Sequence, residues 1–406
     1  MEPIPLSIRT IAPIHIPIEL KTGVYRSSAE FTSFTKLIHK HFEDDLSPMA
    51  SIKKTEYESI DRDSWDNRLF TWSNKQLNPN LQIHVFPNNI GIAVFDISVD
   101  YSDDVKALEQ ATQNATIKAI NAIYSAFIDA ITKISSGQFG DFLRMDNSVN
   151  QEAQILWVSR AILLSTPAIE KQRYKTLIMQ WLKHTHRSED ADDIIAGKIS
   201  FSLTWLNYVI VDTELNDERI DAMILAQYYY AAQENCNKQL KQAIDSAYNG
   251  NKKNDAQIIL SRSRVTSRLH QVAYHDHLNY LTQSKRLILD NILKCWNYEE
   301  LTANGQRMIE ICTSKIDETE SKKRERSSLL TDLLLVALSF FTVFELSLYL
   351  TELSREMMSR PTLDYNDDSR SFMLQFIAEI DTDVMFGSGF FLTLLLVFVY
   401  KIIKSR

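Results

Sequence analysis

Glycine is scarce in this chain, at 9 of 406 residues, about 2% against a usual ~7%. That scarcity disfavours loop-rich active sites with glycine-built phosphate cradles and favours long helices. No Walker A, GxGxxG, GxSxG or HExxH pattern occurs, so the common signatures of nucleotide hydrolysis, dinucleotide binding, serine hydrolysis and zinc proteolysis are missing, and no enzyme is expected. Three cysteines, Cys236, Cys295 and Cys312, form neither a CxxC pair nor an even-numbered framework; they read as thiols of a reducing compartment. Basic residues are outnumbered, 44 Lys and Arg against 52 Asp and Glu, for a net charge of −8. An acidic chain lacks the positive surface of a non-specific nucleic-acid binder, so no direct nucleic-acid partner is expected. Met1 to Gly23 shows no basic start followed by an apolar run, so no secretory signal is expected.

What is present is an uneven hydrophobic pattern. Leu329 to Leu350 is apolar except for Asp332, Glu345 and scattered hydroxyls, and Val384 to Ile403 carries no charge before Lys401. At ~1.5 Å per residue each run spans ~30 Å, the hydrocarbon thickness of a bilayer. Lys322-Lys323-Arg324-Glu325-Arg326 precedes the first run, and Lys401, Lys404 and Arg406 close the second. Between them, 351–383 holds three basic residues, Arg355, Arg360 and Arg370, against eight acidic ones that include Asp364, Asp367 and Asp368. By the positive-inside rule both termini are expected in the cytoplasm and the acidic loop outside, with the chain multi-pass in its membrane.

The preceding residues read as an α+β cytoplasmic domain over 1–214, a helical pair over 215–297 and a stalk helix over 298–328. The spans follow at 329–350 and 384–403, around the loop 351–383, with a basic tail at 404–406. Ile4 to Leu20 alternates, and Leu81 to Phe86 and Ile90 to Val99 flank a Pro87-Asn88-Asn89 turn signal. Asp103-Asp104 is expected to cap a helix over Val105–Ile134. Gln154–Ser165 and Ile199–Val211 read as strands, Ala168–His186 as helix and Ser188–Asp193 as an acidic loop. Asn216–Tyr248 reads as one helix and Asp255 to about Trp296 as a second. Tyr298 to Arg326 keeps only a thin apolar seam (Leu301, Met308, Ile309, Cys312, Ile316), broken by nothing but Gly305, and runs into the first span. A helix from Tyr298 to Leu350 would be ~80 Å long. So narrow an apolar face requires partners, most simply copies of the same chain.

This architecture, with a cytoplasmic α+β domain, a stalk entering the first of two C-terminal spans, an acidic outer loop and a basic tail, resembles the CorA family of divalent-cation channels. Leu329-Leu330-Thr331 is similar to the family's entry into the first span, and Lys322, Lys323, Arg324 and Arg326 to its basic collar. The resemblance implies a homopentamer with five first spans around a central pore, and a divalent cation as substrate or regulator; no other cofactor is expected. The family's Gly-Met-Asn motif is absent, and the corresponding stretch reads Tyr349-Leu350-Thr351-Glu352-Leu353-Ser354. Pore architecture is therefore implied and magnesium selectivity is not. CorA-like proteins without that motif include a group tied to type III CRISPR antiviral defence, for which the ligand would be a small nucleotide messenger.

In such an assembly Ser328, Asp332, Leu335, Ser339, Thr342, Leu346 and Tyr349 recur every three or four residues on one stripe, with Glu345 at its edge. Hydroxyls and carboxylates along a pore suit hydrated cations. A charge inside a span costs roughly 3 kcal/mol or more, so it marks a pathway or a pair. Asp332 either lines the pore or pairs with Lys322 or Arg326; Glu345 faces the pore, pairs between subunits, or is a packed protonated acid. The second span is apolar all round, as a lipid-facing helix would be, with Gly387 and Gly389 allowing close packing. His184-Thr185-His186 and His275-Asp276-His277 place histidines two apart, on different helix faces, so neither pair chelates one ion readily; His39-Lys40-His41 is weaker still. Asp190, Asp192 and Asp193 read first as a solvated loop and second as a regulatory cation site. Arg262, Arg264, Arg268 and Arg286 read first as a salt-bridged face. Arg264 and Arg268 share a side on which a phosphate-bearing ligand could sit. A membrane-anchored binding or scaffolding protein without a pore is the alternative of a different class.

Overall fold

A computed structural model describes residues 3–20, 46–47, 68–74, 76–135, 142–145, 152–183, 185, 187–212, 218–249, 253–359 and 372–405. The chain divides into two compact units, Met1–Ser314 and Lys315–Arg406.

The first unit is built on β1 (Ile4–His15), β2 (Ile18–Leu20), β3 (Leu46–Ser47), β4 (Phe70–Ser73), β5 (Leu81–Val85) and β6 (Ile90–Tyr101). After helix α1 (Val105–Ser135) come β7 (Leu143–Met145), β8 (Gln154–Ile155) and β9 (Ser159–Leu164), then α2 (Thr166–Ile169), α3 (Gln172–Leu182) and α4 (Asp190–Ile195). Next are β10 (Phe201–Leu203), β11 (Asn207–Val211), α5 (Glu218–Asn249), α6 (Lys253–Leu278), α7 (Gln283–Cys295) and the start of α8 (Tyr298–Ser359). A nine-stranded sheet runs β10-β11-β9-β1-β6-β5-β4-β3, with β8 also on β1, while β2 pairs with β7 apart from it. Only β9 and β11 pair in parallel among these strands.

The alternation of β1 sorts its side chains onto two cores. Leu6 and Ile8 join α3 residues Leu177, Ile178 and Trp181. Ala12 and Ile14, on the same side of the strand, join Ile120, Tyr124 and Phe127 of α1. Ile11 points the other way, into a core with Ala222, Leu225 and Tyr229 of α5. Strand β11 repeats the pattern, Val209 facing the α3 side and Tyr208 and Ile210 the α5 side. The sheet therefore lies between helices, which explains why both faces of its central strands are apolar.

The Asn88-Asn89 turn has both residues at positive φ, 66° and 63°, the backbone that lets two residues close a hairpin. Asp104 caps α1 through Oδ1, which accepts from Lys106 N at 3.0 Å and Ala107 N at 3.2 Å.

Four local expectations are corrected. Ile199–Val211 is not one strand but the hairpin β10–β11, with Thr204 Oγ1 donating to Asn207 O at 2.5 Å across the turn. Asp190–Ile195 is a short helix rather than a loop: its acidic residues stand in the first turn, where the helix dipole favours them, and Ala191 and Ile194 are buried beneath. Ala168–His186 is divided between α2 and α3. The helix expected from Asp255 to Trp296 breaks after Leu278, because Thr282 caps a new helix by accepting from Lys285 N at 3.3 Å.

Gly305 is no breaker. A Cβ there would stand 2.6 Å from Asn237 Oδ1 and 2.6 Å from Gln233 Nε2 of α5. Those side chains are tied down, Gln233 Nε2 donating to Asn237 Oδ1 at 2.9 Å and Asn237 Nδ2 to Leu301 O at 2.9 Å. Glycine is what lets the start of α8 approach α5 this closely.

The second unit holds the rest of α8, then α9 (Phe372–Glu379) and α10 (Thr382–Ser405). Helix α8 runs past Leu350 to Ser359, and α9 lies within the segment expected as loop. By length and composition α8 is able to cross a membrane, with none of its apolar window buried; α10 contributes a shorter apolar stretch, Asp383–Leu395.

Candidate functional site

Two places bring polar groups together. The first is on α8. Phe340 meets Phe386 and Phe390 of α10 edge-on, at 6.2 Å and 5.9 Å between ring centroids, and Phe344 meets Phe386 at 5.2 Å. A Cβ on Gly389 would lie 3.5 Å from Val343 Cγ1 and 3.6 Å from Ser347 Oγ, so this glycine does sit at a close helix contact. Phe340, Val343, Phe344 and Ser347 thus form the seam that α10 covers. The expected pore stripe is roughly a third of a turn away at ~100° per residue. Its Leu335, Ser339, Thr342, Leu346 and Tyr349 are exposed, as is Glu345, while Ser328 and Asp332 are half-buried and each already has a polar or charged partner.

The hydroxyls in this helix donate to their own backbone. Ser339 Oγ reaches Leu335 O at 2.8 Å, Thr342 Oγ1 reaches Leu338 O at 2.8 Å and Ser347 Oγ reaches Val343 O at 2.8 Å. Each proton is thereby satisfied within the segment, and each oxygen keeps lone pairs for a further donor or a cation. Around the helix from them, Leu329, Leu333, Leu334 and Leu338 stand 64% exposed or more.

Below the apolar run the basic collar is partly neutralised within α8. Lys322 Nζ lies 2.5 Å from Glu318 and Arg324 lies 3.9 Å from Glu320, each one helical turn away. Hydrogen bonds from Lys322 and Lys315 hold the Glu318 carboxyl down to about 2. Lys323 also has a partner, and Arg326 is exposed.

The second place is a cavity of about 840 Å³ within the first unit. Its walls come from four separate parts of the chain: Asn89 of the β5–β6 turn, Arg144 and Met145 of β7, Gln239, Gln242, Asp245 and Ser246 of α5, and Ile259, Arg262, Ser263 and Thr266 of α6. Gln239, Gln242 and Ser246 share an α5 face by their spacing of three and four. Asn89 and Ser263 are buried at 7% and 9% exposure, whereas Arg144, Gln242 and Arg262 stand at the exposed margin.

Behind the cavity the α6 face continues through Ser267 and His270, both buried. His270 Nδ1 lies 3.2 Å from Asn88 Nδ2. An amide nitrogen only donates, so Nδ1 accepts and the ring proton sits on Nε2. Burial holds this imidazole down to about 4, against a smaller opposing effect of a Tyr229 backbone hydrogen bond, so it is neutral at ordinary pH. Ser267 Oγ has no hydrogen-bond partner among the described residues. Asn235 Nδ2 donates to Asn88 O at 3.3 Å, fixing the turn from the α5 side.

The other sequence candidates fall elsewhere. His275 is exposed and His277 buried beside the Tyr229 hydroxyl, on different faces of α6 as their spacing predicts. His39, His41, His184 and His186 lie outside the described residues, as do Arg360, Asp364, Asp367, Asp368 and Arg370 of the acidic loop. Asp190 accepts from Ser202 Oγ at 2.7 Å and Asp193 pairs with Lys198 at 2.9 Å. No cluster of three metal-ligating side chains occurs among the described residues. Of the four α6–α7 arginines only Arg262 lines the cavity; Arg264 instead donates to Thr313 Oγ1 at 3.5 Å, and Arg286 pairs with Asp290 at 3.9 Å. The α5 amides and Arg144 escaped the sequence reading. The Gln239, Gln242, Ser246 spacing was the one available signal.

No known protein family, curated protein or solved structure matches this chain.

Proposed function

We propose that this chain forms a homo-oligomeric cation channel of a bacterial inner membrane, with α8 lining the pore and the first unit acting as its cytoplasmic gating domain. Five copies is the number the CorA resemblance implies. The observation that carries the reading is the uncovered stripe of α8. The leucines exposed beside it would each cost roughly 1.5–3 kcal/mol left in water, which calls for an apolar solvent. In lipid the cost is reversed for Glu345, which would then require an aqueous lumen or a neighbouring copy. One helix has both problems, and a ring of copies answers both, with Leu329 and Leu333 turned from the polar stripe toward lipid and the carboxylates and hydroxyls toward a lumen or a neighbouring copy. The charge pattern of the flanking segments supports cytoplasmic termini.

A gating role rests on α8 belonging to both units: its first turns are keyed to α5 at Gly305, and the same helix carries the stripe. A ligand that favours one packing of those turns would shift a closed–open equilibrium. A second reading, an anchored binding protein without a pore, draws support from α8 being the one described helix long enough to cross a membrane.

Cation flux into liposomes, measured together with native mass, separates the two. The channel reading expects a closed ring of copies, and it expects Asp332→Ala and Glu345→Ala to change flux by severalfold at unchanged mass. A monomer or dimer with no flux would leave the anchored protein.

A further inference from the structure

We propose that the cavity between α5, α6, β7 and the Asn88-Asn89 turn is a binding site for a small, water-soluble metabolite bearing a phosphate or carboxylate group. The volume, about 840 Å³, lies within the ~300–1,000 Å³ of small-molecule sites. Most such sites are lined by apolar and aromatic side chains; here Met145 and Ile259 are the apolar exceptions in a polar wall. A lipid tail or aromatic ligand would strand that many amides and hydroxyls without partners. A polar ligand would satisfy them.

The sign of the charge follows from the balance at the walls. Arg144 and Arg262 come from different elements and face one carboxylate, Asp245. Among the described residues its lining is thus net positive, in a chain whose net charge is −8. Guanidinium groups present paired N–H donors that match the oxygens of phosphate and carboxylate. Gln239 and Gln242 add amide donors. Arg144 and Arg262 both have other interactions within the chain, which would orient them before a ligand arrives.

The stretch of α6 beyond the lining supplies a second observation. One turn along α6 from Ser263, the buried Ser267 hydroxyl has no partner among the described residues. Native interiors rarely tolerate such groups, because each forfeits its hydrogen bonds to water. His270 is joined through Asn88 to the turn whose next residue, Asn89, lines the cavity. An unpartnered hydroxyl one helical turn from the lining, beside described walls that carry two guanidinium groups and one carboxylate, points to an oxyanion. This assignment concerns the first unit alone and stands whether or not the second unit conducts.

The test is equilibrium binding to the full-length chain in lipid nanodiscs, using AMP, citrate and uncharged adenosine as probes. The expected result is saturable binding of AMP or citrate that weakens with added salt, with adenosine at least tenfold weaker. AMP alone would identify phosphate as the recognised group and citrate alone carboxylate. Arg144→Gln and Arg262→Gln, at the exposed margin on separate elements, should each weaken binding about tenfold, the loss of one charge-assisted contact. Their ligand-free melting temperatures should stay near the parent's, and one intact variant suffices for the comparison. Failure of the parent to bind either anion at millimolar concentration would overturn the proposal. So would adenosine binding as well as AMP, or parent-like affinity in a folded variant. Flux is not read in this experiment, so its failure and a failure of the channel reading are distinguishable.

Discussion

The two units differ in how far their polar side chains reach. In the first, helix hydroxyls such as Thr112 and Thr116 bond back to their own helix, but buried amides and rings also find partners far away in sequence: Gln227 Nε2 donates to Ser159 Oγ at 2.6 Å and to the Tyr208 hydroxyl at 2.9 Å, and Trp181 Nε1 donates to Tyr208 O at 3.0 Å. In the second, Ser339, Thr342, Ser347, Thr351 and Ser354 all donate to the carbonyl one turn earlier in their own helix. The first unit therefore depends on its tertiary structure to satisfy its interior. The second satisfies its backbone and hydroxyls segment by segment, which is the condition for leaving water. Apolar side chains follow the same division, enclosed around the sheet and outward along α8.

The sharpest way to break this contrast is to remove volume on each side of it. Phe127 is fully buried, 5.3 Å from Trp72 and 6.2 Å from Tyr124 by ring centroids. Phe127→Ala should cost about 3–5 kcal/mol in denaturant unfolding followed by tryptophan fluorescence. Leu338→Ala, at a position 65% exposed, should cost under ~1 kcal/mol in the same assay in lipid, since no packed core is opened there. Equal losses would mean that α8 is buried within a single chain's fold after all.

A smaller effect separates the units by pH. His270 has an ordinary value of 6.5 and is held down to about 4 by burial. The unfolded chain therefore takes up a proton that the folded chain refuses. Stability from this group is whole above about pH 6.5 and is lost as pH falls toward 4, by on the order of 3 kcal/mol. His270→Gln, which keeps an acceptor for Asn88, should flatten the difference in unfolding free energy between pH 6.5 and 4.5. A profile unchanged by that substitution would remove His270 as the buried neutral group.

A further test falls on the stretch of α8 that belongs to the first unit. Gly305→Ala should destabilise the first unit by about 1–2 kcal/mol, because the added methyl displaces the Gln233–Asn237–Leu301 hydrogen bonds. Thermal unfolding would read it, and a neutral or stabilising result would mean that α8 does not press on α5 there.

These contrasts also mark what was legible beforehand. The alternation of β1, the Asn88-Asn89 turn and the Asp104 cap were visible because each is a pattern over a few neighbouring residues. The division of Ile199–Val211 into two strands was not, because a continuous apolar run conceals a turn that Thr204 and Asn207 make with each other. The split between α6 and α7 was missed for a related reason: Thr282 interrupts a periodicity that resumes at once. Of the arginines that the sequence singles out on this helix, Arg262 rather than the Arg264 and Arg268 pair lines the cavity.

Periodicity and composition, acting alone, were enough to dictate the apolar run of α8 and its polar stripe, since these depend only on near neighbours along the chain. The cavity belongs to the other category. Asn89, Arg144, Gln242 and Arg262 lie up to 173 positions apart in a chain of 406, and nothing in their local patterns requires them to meet. What brings them together is the burial of β1, α5 and α6 around one sheet, a long-range apolar interaction whose geometry is realised only once the chain has folded.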